Sequence, residues 1–256
     1  MTNSKLALGI DVGGTGIKAG VVDTAEGKMV TDRVRVDTPQ PGHPPILAQT
    51  IKELVEPFQG EGHFDAVGVG FPSVIKRGVA MTAVNISDEW AFEDVSAVLG
   101  EAVGHTVRVL NDADAAGLAE VRFGAGQGIN GTIVVVTLGT GVGTSLFVDG
   151  KLVPNTELAR MLVRGKPAWE RVANSVREKK GLSWEAWTAD VQEFLCEIED
   201  MTWPELVIIG GGVSAEAHRF IGELKCRGQV MPAKMRNDAG IIGAAVYASE
   251  LASIVV

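Results

Sequence analysis

Leu8-Gly9-Ile10-Asp11-Val12-Gly13-Gly14-Thr15, which runs on to Val22-Asp23, is written a second time 126 positions later as Val136-Thr137-Leu138-Gly139-Thr140-Gly141, running on to Val148-Asp149. At that one offset Asp11 falls on Thr137, Gly13 on Gly139, Val22 on Val148 and Asp23 on Asp149. Each copy is an apolar β-branched run, a Gly/Thr turn and a second apolar run. That is the pattern of a hairpin whose tip admits close approach to the backbone. Two matched tips predict a duplicated domain that closes on phosphate.

Outward from the first copy, strands are expected near 5–11, 16–22 and 29–36, followed by a Pro-rich turn over 39–45. An amphipathic helix then places Ile46, Leu47, Ile51, Leu54, Val55 and Phe58 on one face. Phe64 to Gly70 and Gly78 to Asn85 read as strands. Thr106 to Leu110 is a buried strand that leads into Asn111-Asp112 and an Ala-rich helix to about Phe123. The junction is the expected domain boundary. Beyond the second hairpin, helices are expected at about 167–179 and 183–201, then a strand from Glu205 to Ile209. A Gly210-Gly211-Gly212 turn follows, with Ser214 capping the next helix. Gly240 to Leu251 is a last helix. Sheet and helix in each half predict an α/β architecture with a cleft between two lobes.

The formal net charge of −9 opposes general binding to nucleic acid or to an anionic membrane. No apolar run reaches the roughly 18 residues of a membrane span. Met1 to Lys5 leads straight into the first strand, so no signal peptide is expected. Cys196 and Cys226 are the only cysteines, too few for a disulfide framework or a Cys-rich zinc site, and the expected compartment is the cytoplasm. One local basic stretch stands out: Arg160, Arg164, Lys166, Arg171, Arg177, Lys179 and Lys180, against Glu170 and Glu178. It reads either as a track for a long phosphate chain or as a solvated helix face.

Backbone N–H groups at Gly13-Gly14-Thr15 and Gly139-Thr140-Gly141 are placed to hold phosphate oxygens. Asp11, where an apolar strand meets its turn, is the candidate to hold Mg²⁺ through water, and Lys18 is a candidate point charge. Taken singly each tip also reads as an ordinary turn; the repetition in register favours phosphate. Neither is a Walker loop, since no Gly-Lys-Ser/Thr follows. Asn111-Asp112 opens a helix, where Asn and Asp serve as caps and the dipole favours the ionised carboxylate that a general base requires. Gly210-Gly211-Gly212, between strand and helix, reads as a seat for a nucleotide or phosphate chain, or simply as a tight turn.

In this order, Asp11-Val12-Gly13-Gly14-Thr15, Asn111-Asp112-Ala113-Asp114-Ala115-Ala116, Thr137-Leu138-Gly139-Thr140-Gly141-Val142-Gly143 and Ile209-Gly210-Gly211-Gly212-Val213-Ser214 resemble the ROK (repressor, open reading frame, kinase) family of sugar kinases. Val109 to Gly126, Pro154 to Leu158 and Ser175 to Trp187 are similar to its polyphosphate glucokinase branch. The resemblance implies the actin-like ATPase (ribonuclease H-like) fold, with two lobes around a central cleft. Residues 1–110 would form one lobe, with a C-terminal helix over 239–256 packing back on it, and residues 111–238 the other. It further implies phosphoryl transfer from polyphosphate, ATP or both to the 6-hydroxyl of glucose or a related hexose, with Mg²⁺ and a homodimer. Carried over by position, Asp112 matches the catalytic base and Asp11 the metal-side acid. The phosphate motifs are matched by Asp11, Gly13, Gly14, Thr15 and Lys18 in the first copy, and by Thr137, Gly139, Thr140, Gly141 and Gly143 in the second. Asn85, Asn111, Asp112 and Glu157 match sugar-binding positions, and Gly210, Gly211 and Gly212 the nucleotide side.

One motif departs from the family pattern. After Pro154-Asn155-Thr156 the family has Glu-x-Gly-His, whereas this chain has Glu157-Leu158-Ala159-Arg160. A methyl group replaces hydrogen, and a permanent cation replaces a side chain that both donates and accepts. The expectation is impaired glucose phosphorylation, with Arg160 drawing Glu157 away from the sugar. The alternatives are a kinase for a different sugar, or a phosphate- or nucleotide-binding protein weakened in catalysis. Trp169, Trp184, Trp187 and Trp203 read as packing residues, while Trp90 has a place near the cleft by resemblance.

Overall fold

The computed structural model describes residues 6–59 and 64–252. Met1 to Lys5, His63 and the last four residues of the expected C-terminal helix lie outside them. By its internal contacts the chain forms two compact units, Met1–Ala119 with Asp238–Val256, and Glu120–Asn237.

In the first unit the opening motif is a hairpin of β1 (Leu6–Val12) and β2 (Gly16–Asp23), paired antiparallel from Leu6↔Asp23 to Val12↔Ile17. The expected strand over 29–36 is broken into β3 (Lys28–Met29) and β4 (Val34–Asp37), both on β2. Helix α1 (Pro44–Val55) buries Leu47, Ala48, Ile51, Leu54 and Val55, and Phe58 is buried in the 3-10 turn that follows. Ile46, expected on that face, is exposed because it lies about 100° round the helix from Leu47, on the side away from Ala48 and the rest of the buried stripe. β5 (Ala66–Phe71) pairs parallel with β1. The expected strand over 78–85 is instead a short hairpin, β6 (Ile75–Lys76) with β7 (Val79–Ala80), and the chain then runs irregularly, with Asn85 left-handed at φ +57°. α2 (Val95–Val103) is capped by the Asp94 side chain and stops at left-handed Gly104. β8 (Val107–Asn111) completes a sheet of order β3-β2-β1-β5-β8 and runs directly into α3 (Asp112–Phe123).

The second unit repeats this plan. β9 (Thr132–Leu138) and β10 (Val142–Val148) form its hairpin, extended by β11 (Lys151–Val153). β1 and β9 have the same succession of buried and half-buried positions, with Asp11 and Thr137 at the same half-buried place near the end. The second turn is one residue tighter, because Leu138 pairs with Val142 whereas Val12 pairs with Ile17. After the small hairpin β12 (Leu162–Val163) and β13 (Lys166–Pro167), the helix expected over 167–179 is two helices. They are α4 (Trp169–Val172) and α5 (Asn174–Lys180), interrupted at Ala173 by an extended ψ of 139°. α6 (Trp184–Thr202) packs Trp187, Val191, Phe194, Leu195 and Ile198 into a core shared with Val134, Val136, Val207 and Ile209. β14 (Leu206–Gly210) and β15 (Gln229–Pro232) finish a sheet of order β11-β10-β9-β14-β15. Ser214 does not cap a helix. The segment Gly212–Arg219 is 3-10, and the Ser214 hydroxyl donates to the Gly211 carbonyl at 2.8 Å.

α7 (Ala239–Ala252) belongs to the first unit and lies on β1, β5 and β8. It approaches so closely because Gly9 and Gly68 are cross-strand partners with no side chain in its path. A Cβ on Gly9 would stand 2.0 Å from the Ile241 carbonyl oxygen, and one on Gly68 1.8 Å from that of Ala244. In both sheets the central strand pairs antiparallel on one side and parallel on the other. Two successive units of this order have the chain plan of the actin-like ATPase fold.

Candidate active site

In the first unit the predicted residues gather at the C-terminal edge of the parallel strands. Asp11 is the last residue but one of β1 and faces Lys18 across the hairpin, with Lys18 Nζ 3.0 Å from Asp11 Oδ2. The lysine is therefore paired with the acid. On its other side Asp11 is the register partner of Gly70 in β5, which in turn partners Leu110 in β8, one step short of Asn111-Asp112. Two strand spacings separate β1 from β8, about 10 Å. Gly70 lies between them, where a Cβ would meet the Ala115 Cβ at 3.3 Å and the Asp112 Cα at 3.5 Å. Gly240, at the start of α7, has no room for a side chain, since a Cβ would lie 2.6 Å from Asp11 Cγ.

The first loop is closed by the Gly13 N–H donating to the Gly16 carbonyl at 3.1 Å. Asn85 is brought against it, its Cβ 3.0 Å from where a Cβ on Gly14 would be. Asn111 is buried and engaged locally. Its Oδ1 accepts the N–H groups of Ala113 (2.9 Å) and Asp114 (3.0 Å), capping α3, and its Nδ2 donates to the Ser73 carbonyl at 3.1 Å. Asp112 is half-buried in the first turn of α3, and its Oδ1 also accepts the Ala113 N–H.

In the second unit Thr137 is the point of convergence. It is the partner of Gly143 on β10 and of Gly210 on β14, so the second loop and the triple glycine meet across three strands. Gly139 N–H donates to the Gly141 carbonyl at 2.9 Å and closes the turn. Gly211 has a steric role: its φ is +78°, and a Cβ would lie 2.6 Å from the Leu138 carbonyl oxygen. Gly212 faces open space. Glu157 is held through its neighbours' backbone, because the buried Thr144 hydroxyl donates to the Thr156 carbonyl (2.5 Å) and accepts the Leu158 N–H (3.0 Å). Arg160 lies on this glutamate, Nε to Oε2 3.2 Å. Ala159 is buried in a 3-10 turn, without a positive φ, so its methyl group brings no backbone strain.

Several predicted surface features change character. In the basic stretch Arg171 is tied to Asp190 and to Glu193, the latter at 2.9 Å, with its side chain only 12% exposed. Arg164 also engages Glu193, and Arg177 lies 4.1 Å over the Trp184 ring. Lys166, Lys179 and Lys180 are exposed. Trp90 is fully buried, donates to the Gly42 carbonyl at 2.9 Å and packs edge-on to Phe71, so it belongs to the core. Trp187 is core as expected, whereas Trp169 and Trp203 are exposed.

Residues outside the motifs hold both loops. The Thr38 hydroxyl donates to the Gly13 carbonyl (2.5 Å), Gln40 Nε2 to that of Gly14 (3.3 Å) and an Arg35 guanidinium N–H to that of Thr15 (3.3 Å). In the second loop Ser175 donates its N–H to the Gly139 carbonyl (3.1 Å) and its hydroxyl to that of Thr140 (2.7 Å). Their spacing from the loops does not repeat at the 126-residue offset, which is why the sequence did not reveal them.

Among the described residues, no group of three or more His, Cys, Asp or Glu is placed to hold a metal ion. A carboxylate near a strand end beside a glycine loop does suit Mg²⁺, which is bound through one or two carboxylates, waters and substrate phosphates. Nor, among those residues, is any helix long and apolar enough to cross a membrane.

Fold and site together define a duplicated α/β protein of the actin-like ATPase class, with a glycine-rich loop in the same hairpin of each unit. The ROK family model matches residues 7–155, and the chain belongs to the ROK family. It is 44% identical over 246 residues to a polyphosphate glucokinase of Mycobacterium tuberculosis, covering 96% of this chain and 92% of the relative. Among solved structures it resembles the inorganic polyphosphate/ATP-glucomannokinase of Arthrobacter sp. strain KM, at TM-score 0.92 and 42% identity over 96% of this chain and 99% of that one. It also resembles a ROK family glucokinase of Streptomyces griseus in complex with glucose and AMPPNP, at TM-score 0.83 and 25% identity over 96% and 99% of the two chains.

Proposed function

We propose that this protein is a glucose kinase that uses polyphosphate or ATP. The observation that carries the reading is the common edge in the first unit: phosphate loop, Asp11 and Asp112 all stand at the C-terminal ends of β1, β5 and β8, where ligands bind in open α/β sheets. The long relatives in the polyphosphate glucokinase branch support the choice of donor and acceptor.

Asp112 accepts the proton of the glucose 6-hydroxyl as its oxygen bonds to the terminal phosphorus. The bridging P–O bond breaks, leaving ADP or a polyphosphate shorter by one unit. Little covalent chemistry falls to the protein in such a transfer, so positioning and charge neutralisation dominate. N–H groups of Gly14, Thr15, Thr140 and Gly141 take phosphate oxygens, Lys18 and Asp11 stand beside the first loop, and Gly212 presents open backbone on the nucleotide side. Asn85, Asn111 and Glu157 engage sugar hydroxyls, Asn111 also fixing the turn that aims Asp112. When bound, Mg²⁺ supplies charge neutralisation on the donor phosphates, and Asp11 is the residue that would hold it, through water. A cytoplasmic homodimer without nucleic-acid partners belongs to the same proposal and is consistent with the acidic net charge.

Arg160 lowers the efficiency of this kinase toward glucose by competing for Glu157. The reading is tested by a coupled assay of glucose 6-phosphate formation with each donor. Product formation with at least one is expected; no product from glucose with either donor, at full occupancy of both substrates, would overturn it.

A further inference from the structure

Both loops are held from their carbonyl sides by polar groups that lie outside the repeated motif. Across the first loop, successive carbonyls of Gly13 and Gly14 are bound by Thr38 and Gln40, at 2.5 and 3.3 Å. Across the second, successive carbonyls of Gly139 and Thr140 are bound by the backbone and hydroxyl of one residue, Ser175, at 3.1 and 2.7 Å. An extended strand would turn successive carbonyls to opposite sides. Here two in a row are drawn to one short segment. In a trans peptide the C=O of one residue and the N–H of the next point in opposite directions within one plane. Fixing the Gly13 and Gly14 carbonyls therefore aims the N–H groups of Gly14 and Thr15 away from residues 38–40. Fixing the Gly139 and Thr140 carbonyls aims those of Thr140 and Gly141 away from Ser175.

We infer that Thr38 and Ser175 are positioning residues for the phosphoryl donor, each presenting a pair of adjacent loop N–H groups to phosphate oxygens, with Gln40 assisting the first. This inference rests on the kinase reading above. Thr38 is 7% exposed and its hydroxyl has no other acceptor among the bonds described, while an adjacent loop of glycines would otherwise sample many orientations. The two braces come from different places in the chain, the residue just past β4 in one unit and the start of α5 in the other. The duplicated hairpins thus carry the same orientation of donors by unrelated means.

The test compares wild type with Thr38→Val, Thr38→Ser, Gln40→Leu and Ser175→Ala, by isothermal titration of tripolyphosphate and by steady-state kinetics with both donors. Loss of one such hydrogen bond is expected to weaken tripolyphosphate binding and raise donor KM about 3- to 10-fold. The KM for glucose should stay within about twofold in the same variants, and Thr38→Ser should retain wild-type donor binding. Unchanged donor affinity in Ser175→Ala and in Thr38→Val, or equal losses for donor and glucose, would overturn the inference. Should Thr38→Val fail to fold, Gln40→Leu at an exposed position decides the first loop. A wild type that binds tripolyphosphate but turns over no glucose would sink the kinase reading while leaving the braces to be judged by titration; a wild type that binds none would sink both.

Discussion

Asn111 and Asp112 divide two tasks that the sequence left superposed. The amide of Asn111 caps α3 and ties to Ser73, while the neighbouring Asp112 carboxylate, the proposed base, stands at the sheet edge. Glu157 has the opposite fate, with the Arg160 guanidinium on it. Rebuilding the family pattern with Ala159→Gly and Arg160→His should raise kcat/KM for glucose about 5- to 150-fold, the value of one regained hydrogen bond in a closed site. Equal or lower kcat/KM with both donors would reject that role for Arg160. A second residue-scale expectation concerns Cys226, whose thiol is pushed up to about 11 by burial first and by the nearby Glu199 carboxylate next. Because ionisation is easier in the unfolded chain, near pH 8.5 for a free cysteine, this contribution to stability is complete below that pH and declines as pH rises toward 11. Native protein treated with iodoacetamide at pH 8.5 should therefore label Cys226 far more slowly than the exposed Cys196, and denaturant should remove the difference; peptide mapping that finds the two labelled at equal rates in the folded state would contradict this shift. The acids and glycines of the site were legible as residue types at strand ends. Thr38, Gln40 and Ser175 were not, because a hydroxyl or amide that binds a carbonyl carries no periodic or motif signal.

Elements with strong periodicity were legible, and those built on local exceptions were not. β1, β2, β9 and β10 follow from apolar β-branched runs around glycine turns, and β9 begins and ends at the repeat offset from β1. The strand expected over 78–85 failed because the chain turns at left-handed Arg77 and Gly78 into a two-residue hairpin. The helix expected over 167–179 failed because Ala173 adopts an extended ψ where composition gave no breaker. The basic stretch splits accordingly. Arg171 is structural, anchoring α4 to Asp190 and Glu193 of α6, and Arg171→Ala should cost about 2 kcal/mol by leaving Asp190 without its cation and Glu193 with Arg164 alone. Lys179 and Lys180, exposed at the end of α5, are the pair to neutralise for donor effects. Replacing both by Ala should raise KM for polyphosphate more than for ATP with thermal stability unchanged, and high salt should reproduce the change. Equal shifts for both donors would remove the track.

At the scale of the whole molecule the duplication organises each unit: the same strand order, the same parallel and antiparallel neighbours, and a loop at the same hairpin. What the repeat offset alone does not convey is the one-residue slip between the hairpins, which changes the partner of every position on the second strand. Lys18 faces Asp11, while Thr144, at the matching place in the second copy, faces Val136 and instead secures the backbone around Glu157. The first unit thereby keeps a charged pair beside its loop, and the second an uncharged one. Close glycine contacts along α7 join the last helix to the first strands, so Asp112, the first loop and the chain's C-terminal helix stand on one sheet.

The central claim is that Asp112 is the proton acceptor in phosphoryl transfer to glucose. Its most direct test is kcat for glucose 6-phosphate formation in Asp112→Asn against wild type, with donor affinity measured on the same preparations. A fall in kcat of about 10²- to 10⁴-fold is expected, with donor binding retained. An Asp112→Asn enzyme that turns over within a few-fold of wild type would contradict it.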